Sequence, residues 1–237
     1  MITQTKALVI SSLKYGDTSK IVKFYTQSCG VKSFIAKGVY SKKNKTNAFL
    51  NPLNSVELIF DNRSSSNLRF FKEIRQFEHY QSLYQSPQKM AIVLFLGEIL
   101  NSVLQEEETN DALFQFISSA LLTFDEKQSD FADFHLWFLF HLTQYLGFYP
   151  HLNSNSNYFD LKEGVSTDQK PAEVFIGKQD LQLFKKLSQI EFSNQSQNEF
   201  SQKQRKSILT TLLRYYELHI LNFRQPKSLE VLSVIFG

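Results

Sequence analysis

Residues 7–37 read ALVISSLKYGDTSKIVKFYTQSCGVKSFIAK, and their reading decides the architecture of the first third of the chain. Runs at 7–12, 19–26 and 31–37 are rich in β-branched and aromatic residues. They are broken by Tyr15-Gly16-Asp17 and by Cys29-Gly30, both turn signals. Gly38 and a lysine-rich loop close the third run. Two more candidate strands follow at 54–60 and 68–76, separated by the polar run 61–67. Five short strands at near-regular spacing suit a small closed barrel such as the OB-fold, since a two-layer sandwich usually needs about seven.

From Ser86 the hydrophobic period changes from two to about 3.6. Ser86-Pro87 reads as a cap followed by a proline tolerated in the first helical turn, and the helix runs over 88–104 to the acidic triplet Glu106-Glu107-Glu108. Asn110 can cap the next helix, striped by Leu113, Ile117, Ala120, Leu121 and Phe124. Over 130–146 apolar residues occupy most sides, as in a helix enclosed by its neighbours, and Gly147 and Pro150 end it. A polar connection over 151–173, a short helix near 179–188 and a Ser/Asn/Gln-rich mobile loop at 191–202 come next. A long helix over 203–223 and a short one from Ser228 close the chain. The expected fold is thus α+β with two domains, an N-terminal OB-fold β-barrel over 1–80 and a C-terminal α-helical bundle over 81–237.

Composition narrows the function. The chain has 237 residues, 42% of them apolar and 34 aromatic, enough for buried cores. Cys29 is the only cysteine, which excludes a disulfide framework and a zinc site built on several thiolates, and fits a reducing compartment. No export signal opens the sequence, and the greasy run 90–96 is far shorter than a membrane span, so a soluble protein with no membrane partner is expected. No G-x-S-x-G, H-E-x-x-H or Walker loop occurs. His135 and His141, six residues apart on a helix, point about 120° apart and read as core histidines. The three consecutive glutamates diverge and stay hydrated. Neither a catalytic residue nor a cofactor or metal is expected, so the protein does not read as an enzyme.

The net charge of +3 conceals an asymmetry: residues 1–79 carry 13 Lys/Arg against 5 Asp/Glu, and residues 80–237 carry 13 against 18. A barrel with that surplus attracts polyanions, nucleic acid first. Lys32, Lys37, Lys42, Lys43 and Lys45 crowd the third strand and the loop after it, together with Tyr40. Mobile ammonium groups there suit phosphate contacts, which give affinity without base identity. Strand alternation that buries Val22 and Phe24 turns Lys23 and Tyr25 outward. Likewise, burying Leu68, Phe70 and Ile74 turns Arg69, Phe71 and Arg75 outward. Cations interleaved with rings are the equipment for holding single-stranded nucleic acid. An OB-fold RNA-binding module, or a protein–protein adaptor with a basic face, shares these features.

A family pattern lies on the same residues. Leu13-Lys14-Tyr15-Gly16-Asp17-Thr18-Ser19, then Phe24-Tyr25-Thr26, Gly30 and Ala36-Lys37-Gly38 resemble the amino-terminal signature of RecO, the bacterial recombination mediator. Gly147-Phe148-Tyr149-Pro150 and Lys227-Ser228-Leu229-Glu230-Val231-Leu232 are similar to its later helix ends. The resemblance implies an OB-fold, a helical domain and a cytoplasmic, nucleoid-associated protein. It implies binding of single- and double-stranded DNA, strand annealing, and loading of RecA, together with RecR, onto DNA coated by single-stranded-DNA-binding protein (SSB). The SSB C-terminal tail would meet the helical domain, with Lys185, Lys186, Lys203, Arg205 and Lys206 as candidate contacts, and the family's DNA-contacting basic residues would fall on Lys37, Lys42 and Lys43. Many members carry two C-x-x-C pairs that form a zinc site after the helix ending here at Pro150. Residues 151–171 contain no cysteine, so no zinc is expected.

Overall fold

The computed structural model describes residues 2–41, 44–62, 69–104, 109–193 and 195–236. The chain divides into two compact units, one of residues 1–119 with 226–228 and one of residues 120–225 with 229–237.

In the first unit, five antiparallel strands appear: β1 (Ile2–Tyr15), β2 (Ser19–Thr26), β3 (Gly30–Ala36), β4 (Ser55–Asp61) and β5 (Phe71–Gln76). Their order is β3-β2-β1-β4-β5. β1 serves both halves of the sheet, pairing with β4 through Ile2–Leu8 and with β2 through Ala7–Tyr15. A register shift between Val9 and Ser11 gives it the extra coil a barrel needs. The outer edges meet through a parallel bridge between Phe34 and Arg69, where Ile35 N donates to Arg69 O (2.7 Å) and Arg69 N to Ser33 O (3.3 Å). This is the OB-fold expected from the turn spacing. Its interior holds Ala7, Val9, Val22, Phe24, Phe34, Leu58 and Phe60, with the Phe34 and Phe60 rings 5.0 Å apart. Truncating such a ring to Ala costs about 3–5 kcal/mol.

One alternation is corrected. Between β4 and β5 the register moves from Ile59↔Glu73 to Phe60↔Phe71, so Lys72 is an extra residue. Such a bulge inverts the faces on one side of it. Phe71 therefore packs against the barrel core, 6.1 Å from Phe34, and Phe70 is the ring left outside. Leu68 lies outside the described residues, as do the glutamates at 106–108.

The helix α1 (Pro87–Val103) packs on β1 within this unit, with Ser86 Oγ accepting from Lys89 N as its cap. Asn110 Oδ1 accepts from Leu113 N (2.9 Å) to start α2 (Asp111–Glu126).

In the second unit, α3 (Phe134–Tyr145) is enclosed as its all-round apolar pattern requires, with Leu136, Phe138, Leu139, Phe140 and Leu142 fully buried. It starts late because Asp130 takes a left-handed conformation (φ 56°) and Asp133 stands at the cap position. Against it lie α4 (Lys178–Ser188) and α5 (Gln202–His219), the latter opened by a Ser201–Gln204 capping box, and α6 (Leu229–Phe236) follows. The polar segment before α5 is not free, contrary to its composition. Lys127 Nζ donates to Ser193 O and Ser196 O, and Asp133 Oδ2 accepts from Glu199 N and Phe200 N.

The 151–173 connection is also more ordered than its composition indicates. It carries β6 (Tyr158–Asp160) and β7 (Val165–Thr167), which with β8 (Phe175–Ile176) form a three-stranded sheet. Phe159 is buried there, 5.9 Å from the Tyr215 ring, and His151 N donates to Gly164 O (2.9 Å). Aromatic packing and backbone bonds hold this cysteine-free region together.

Candidate nucleic-acid interface

The turns decide where the cations go. Gly16 (φ 62°) closes the β1–β2 hairpin and Gly38 (φ 65°) turns the chain after β3, both in the left-handed region that favours glycine. Val39 N donates to Thr18 O (2.9 Å), so the two turns meet at one rim of the barrel. Register then fixes the neighbours: Lys14 stands opposite Lys20, and Lys20 opposite Ala36, next to Lys37. The loop folds back on this rim. Asn44 Nδ2 donates to Lys37 O (3.1 Å), Asn44 Oδ1 accepts from Thr46 N (2.8 Å), and Lys20 Nζ donates to Asn47 Oδ1 (2.9 Å). Lys45 is exposed at the head of a single 3-10 turn, Lys45–Phe49.

Lys14, Lys20, Lys37 and Lys45 thus share one rim, and among the described residues none of them forms an ion pair. Asp17, in the hairpin turn, is the sole acidic residue between positions 13 and 50, against eight lysines. Facing lysines in a two-stranded ladder repel each other, an arrangement a polyanion relieves.

The other expected site residues divide by environment. Lys37, Tyr40 and Lys45 stand at the rim, exposed, and Lys42 and Lys43 lie outside the described residues. Lys23 and Tyr25 do face away from the barrel interior, yet α1 and the start of α2 cover that face. Lys23 Nζ donates to Asn101 O (3.2 Å) and Asn101 Oδ1 (3.1 Å), and burial lowers its pKa. Tyr25 is only 2% exposed, with its ring 5.9 Å from Phe114 and its hydroxyl donating to Asn110 O (3.0 Å). Burial, followed by the charge of Asp111, pushes its phenol up to about 12. No face of that ring remains for a base.

Lys32 is buried on β3, and Arg75 Nε is paired with Glu73 at 2.6 Å. Arg69 donates from Nη1 to Asn62 Oδ1 (2.8 Å) while its backbone closes the barrel. Phe71 is turned inward by the bulge, and the ring exposed in its place is Phe70. Sequence reasoning missed Lys14, Lys20 and Phe70. The hairpin register could have found the first two, since both lie within three residues of the Tyr15-Gly16-Asp17 turn.

His135 is a core residue, and His141 is half-buried beside the Trp137 and Phe140 rings. Burial drives the His135 imidazole down to about 3, with the Arg205 charge adding to the effect, and lowers His141 as well. No helix among the described residues is long and apolar enough to cross a membrane.

Comparison with known proteins matches the barrel and the helices that follow it, with the boundary between the two matches falling after the barrel rather than at residue 119. The family model described as "Recombination protein O N terminal" matches residues 1–80, and "Recombination protein O C terminal" matches residues 84–230. The chain is 38% identical over 240 residues to the DNA repair protein RecO of Christiangramia forsetii, 37% to that of Flavobacterium johnsoniae and 33% over 241 residues to that of Bacteroides fragilis, each alignment covering both proteins completely. A basic-rimmed OB barrel and the helices after it, each matched by its own family model and together by full-length bacterial relatives, show that the chain belongs to the RecO family, with a role in DNA repair and recombination.

Proposed function

We propose that the protein is a non-enzymatic recombination mediator. It binds the sugar-phosphate backbone of single- and double-stranded DNA at the barrel rim, anneals complementary strands and, with RecR, helps load RecA onto SSB-coated single strands, acting at the nucleoid in the cytoplasm. The observation that carries this reading is the gathering of Lys14, Lys20, Lys37 and Lys45 on one rim without acidic partners among the described residues. Annealing needs no catalytic group. Screening two backbones while leaving base edges free lowers the repulsion that opposes pairing.

A cleft in the helical unit supports the partner side of the reading. About 250 Å³ in volume, it is lined by Arg205, Lys206, Leu209, Leu232 and Phe236. Arg205 is already engaged by Asp133 at 3.5 Å and Phe200 O at 2.6 Å, which leaves Lys206, exposed on α5, to meet a carboxylate. An acidic tail ending in apolar residues, such as that of SSB, matches this mixture. Lys186, by contrast, is paired with Glu199 at 2.8 Å, and Lys185 donates to Ser154 O.

The test is equilibrium binding to mixed-sequence DNA across a salt series, for the native chain and for Lys37→Glu combined with Lys42→Glu and Lys43→Glu. Weaker binding with a flatter salt dependence is expected. An unchanged slope refutes the rim as the DNA site.

A further inference from the structure

The barrel rim carries more than charge. Phe70 is 51% exposed and Tyr40 48% exposed, and each ring has an ammonium group over it: Lys37 Nζ lies 4.2 Å from the Phe70 centroid and Lys20 Nζ 5.8 Å from that of Tyr40. The cations are those the rim already presents. Phe70 is also firmly held. It follows Arg69, whose backbone is bonded on both sides to β3, and the Lys72 bulge turns its neighbour Phe71 into the core while leaving Phe70 outside. The barrel interior is filled without it.

We infer that Phe70, seconded by Tyr40, stacks on unpaired bases, and that these two rings give the rim a preference for single-stranded over duplex DNA. This rests on the rim being the DNA site. A ring with a lysine above it suits an exchange. The cation–π contact at an exposed position is weak, so an incoming base can take the ring face while the ammonium swings to the adjacent phosphate. A duplex cannot make this exchange, because its bases are stacked on one another and offer the rim only backbone. The lysines then serve both substrates and the rings serve one.

The experiment compares oligo(dT) and a mixed-sequence duplex as ligands of the full chain, titrated over a salt series, for the native protein, Phe70→Ala, Phe70→Leu, Phe70→Trp and Tyr40→Ala. Phe70→Ala is expected to weaken oligo(dT) binding roughly 5- to 100-fold with the salt slope unchanged, Tyr40→Ala less, and duplex binding by less than about 2-fold in either. Phe70→Leu, which keeps apolar bulk without a π face, should lose as much as Phe70→Ala, whereas Phe70→Trp should retain native affinity. Equal losses for both ligands, or none for either, overturn the stacking role while leaving the rim intact as a phosphate site. Failure of the native chain to bind DNA with a salt-dependent affinity overturns the rim itself, and the stacking role with it. Far-ultraviolet circular dichroism and thermal melting of each variant show whether a loss is local.

Discussion

Lys20 and Lys23 stand three residues apart on β2 and meet opposite fates. Lys20 reaches the rim, where its ammonium has a neutral amide, an exposed ring and solvent around it. Lys23 lies under the end of α1, bonded twice to Asn101 and depressed in pKa by burial. Tyr40 and Tyr25 repeat the contrast, one half-exposed at the rim and the other shut beneath α2. Cations and rings on one small barrel therefore meet two different environments. Where a helix covers the sheet they are structural, and where turns gather them at an open rim they are free to bind a polyanion.

That contrast can be broken most directly at the rim. Replacing Lys14, Lys20 and Lys37 together with Gln should cost on the order of 10²–10³-fold in DNA affinity near 0.1 M salt and reduce the log–log salt slope by about 2–3, as expected for three lost phosphate contacts. Fluorescence anisotropy across a salt series reads both, and an unaltered slope would mean that these ammonium groups never touch DNA. The covered side should answer in stability instead. Tyr25→Ala removes a buried ring and its hydroxyl's hydrogen bond to Asn110 O, so denaturant unfolding should show a loss of about 3–5 kcal/mol. Its folded fraction should keep the native salt slope.

His135 extends the comparison to an enclosed group in the helical unit. Its folded pKa, about 3, lies below the ordinary value of 6.5, so below pH 6.5 the unfolded chain binds a proton that the folded one refuses. The associated stability is fully present above pH 6.5 and falls as pH drops, by about 1.4 kcal/mol per pH unit, with His141 adding in the same direction. Urea unfolding between pH 7 and 5, above the range of most carboxylates, should show this slope, and His135→Phe should flatten it. A slope unchanged by that substitution would place the acid sensitivity elsewhere.

The smallest effect belongs to Lys23. Lys23→Gln should cost about 1 kcal/mol of stability through the lost hydrogen bonds to Asn101, and leave the salt dependence of DNA binding as it was. A flattened slope there would move the DNA site onto the helix-covered face and erase the distinction between the two lysines.

Much of this was legible from residue order. The turn at Tyr15-Gly16-Asp17, the glycines at 30 and 38 and the switch of period after Ser86 place the five strands and the helices in order, because φ preferences and burial periodicity are local, although β1 runs over Ile2–Tyr15 where the sequence indicates only 7–12. The lysine surplus of the first third is likewise plain. Phe70 and Phe71 were not separable, since only the pairing partner reveals that Lys72 is an extra residue. The strands at 158–160, 165–167 and 175–176 are two or three residues long and too short to show a period. The Ser/Asn/Gln-rich segment before α5 looks mobile by composition but is tethered by Lys127 and Asp133, residues some 65 positions away.

The amino-acid order thus specifies which segments are strands or helices, which half is basic, and a catalogue of cations and rings from which an interface could be drawn. It does not say which members of that catalogue are available. Availability depends on what covers each side chain, and the cover comes from remote positions: Asn101 and Phe114 close over Lys23 and Tyr25, while register and two glycine turns bring Lys14, Lys20 and Lys37 together in the open. Solvent access is a property of the packed chain, and charge acts on a polyanion only where water can be displaced from both.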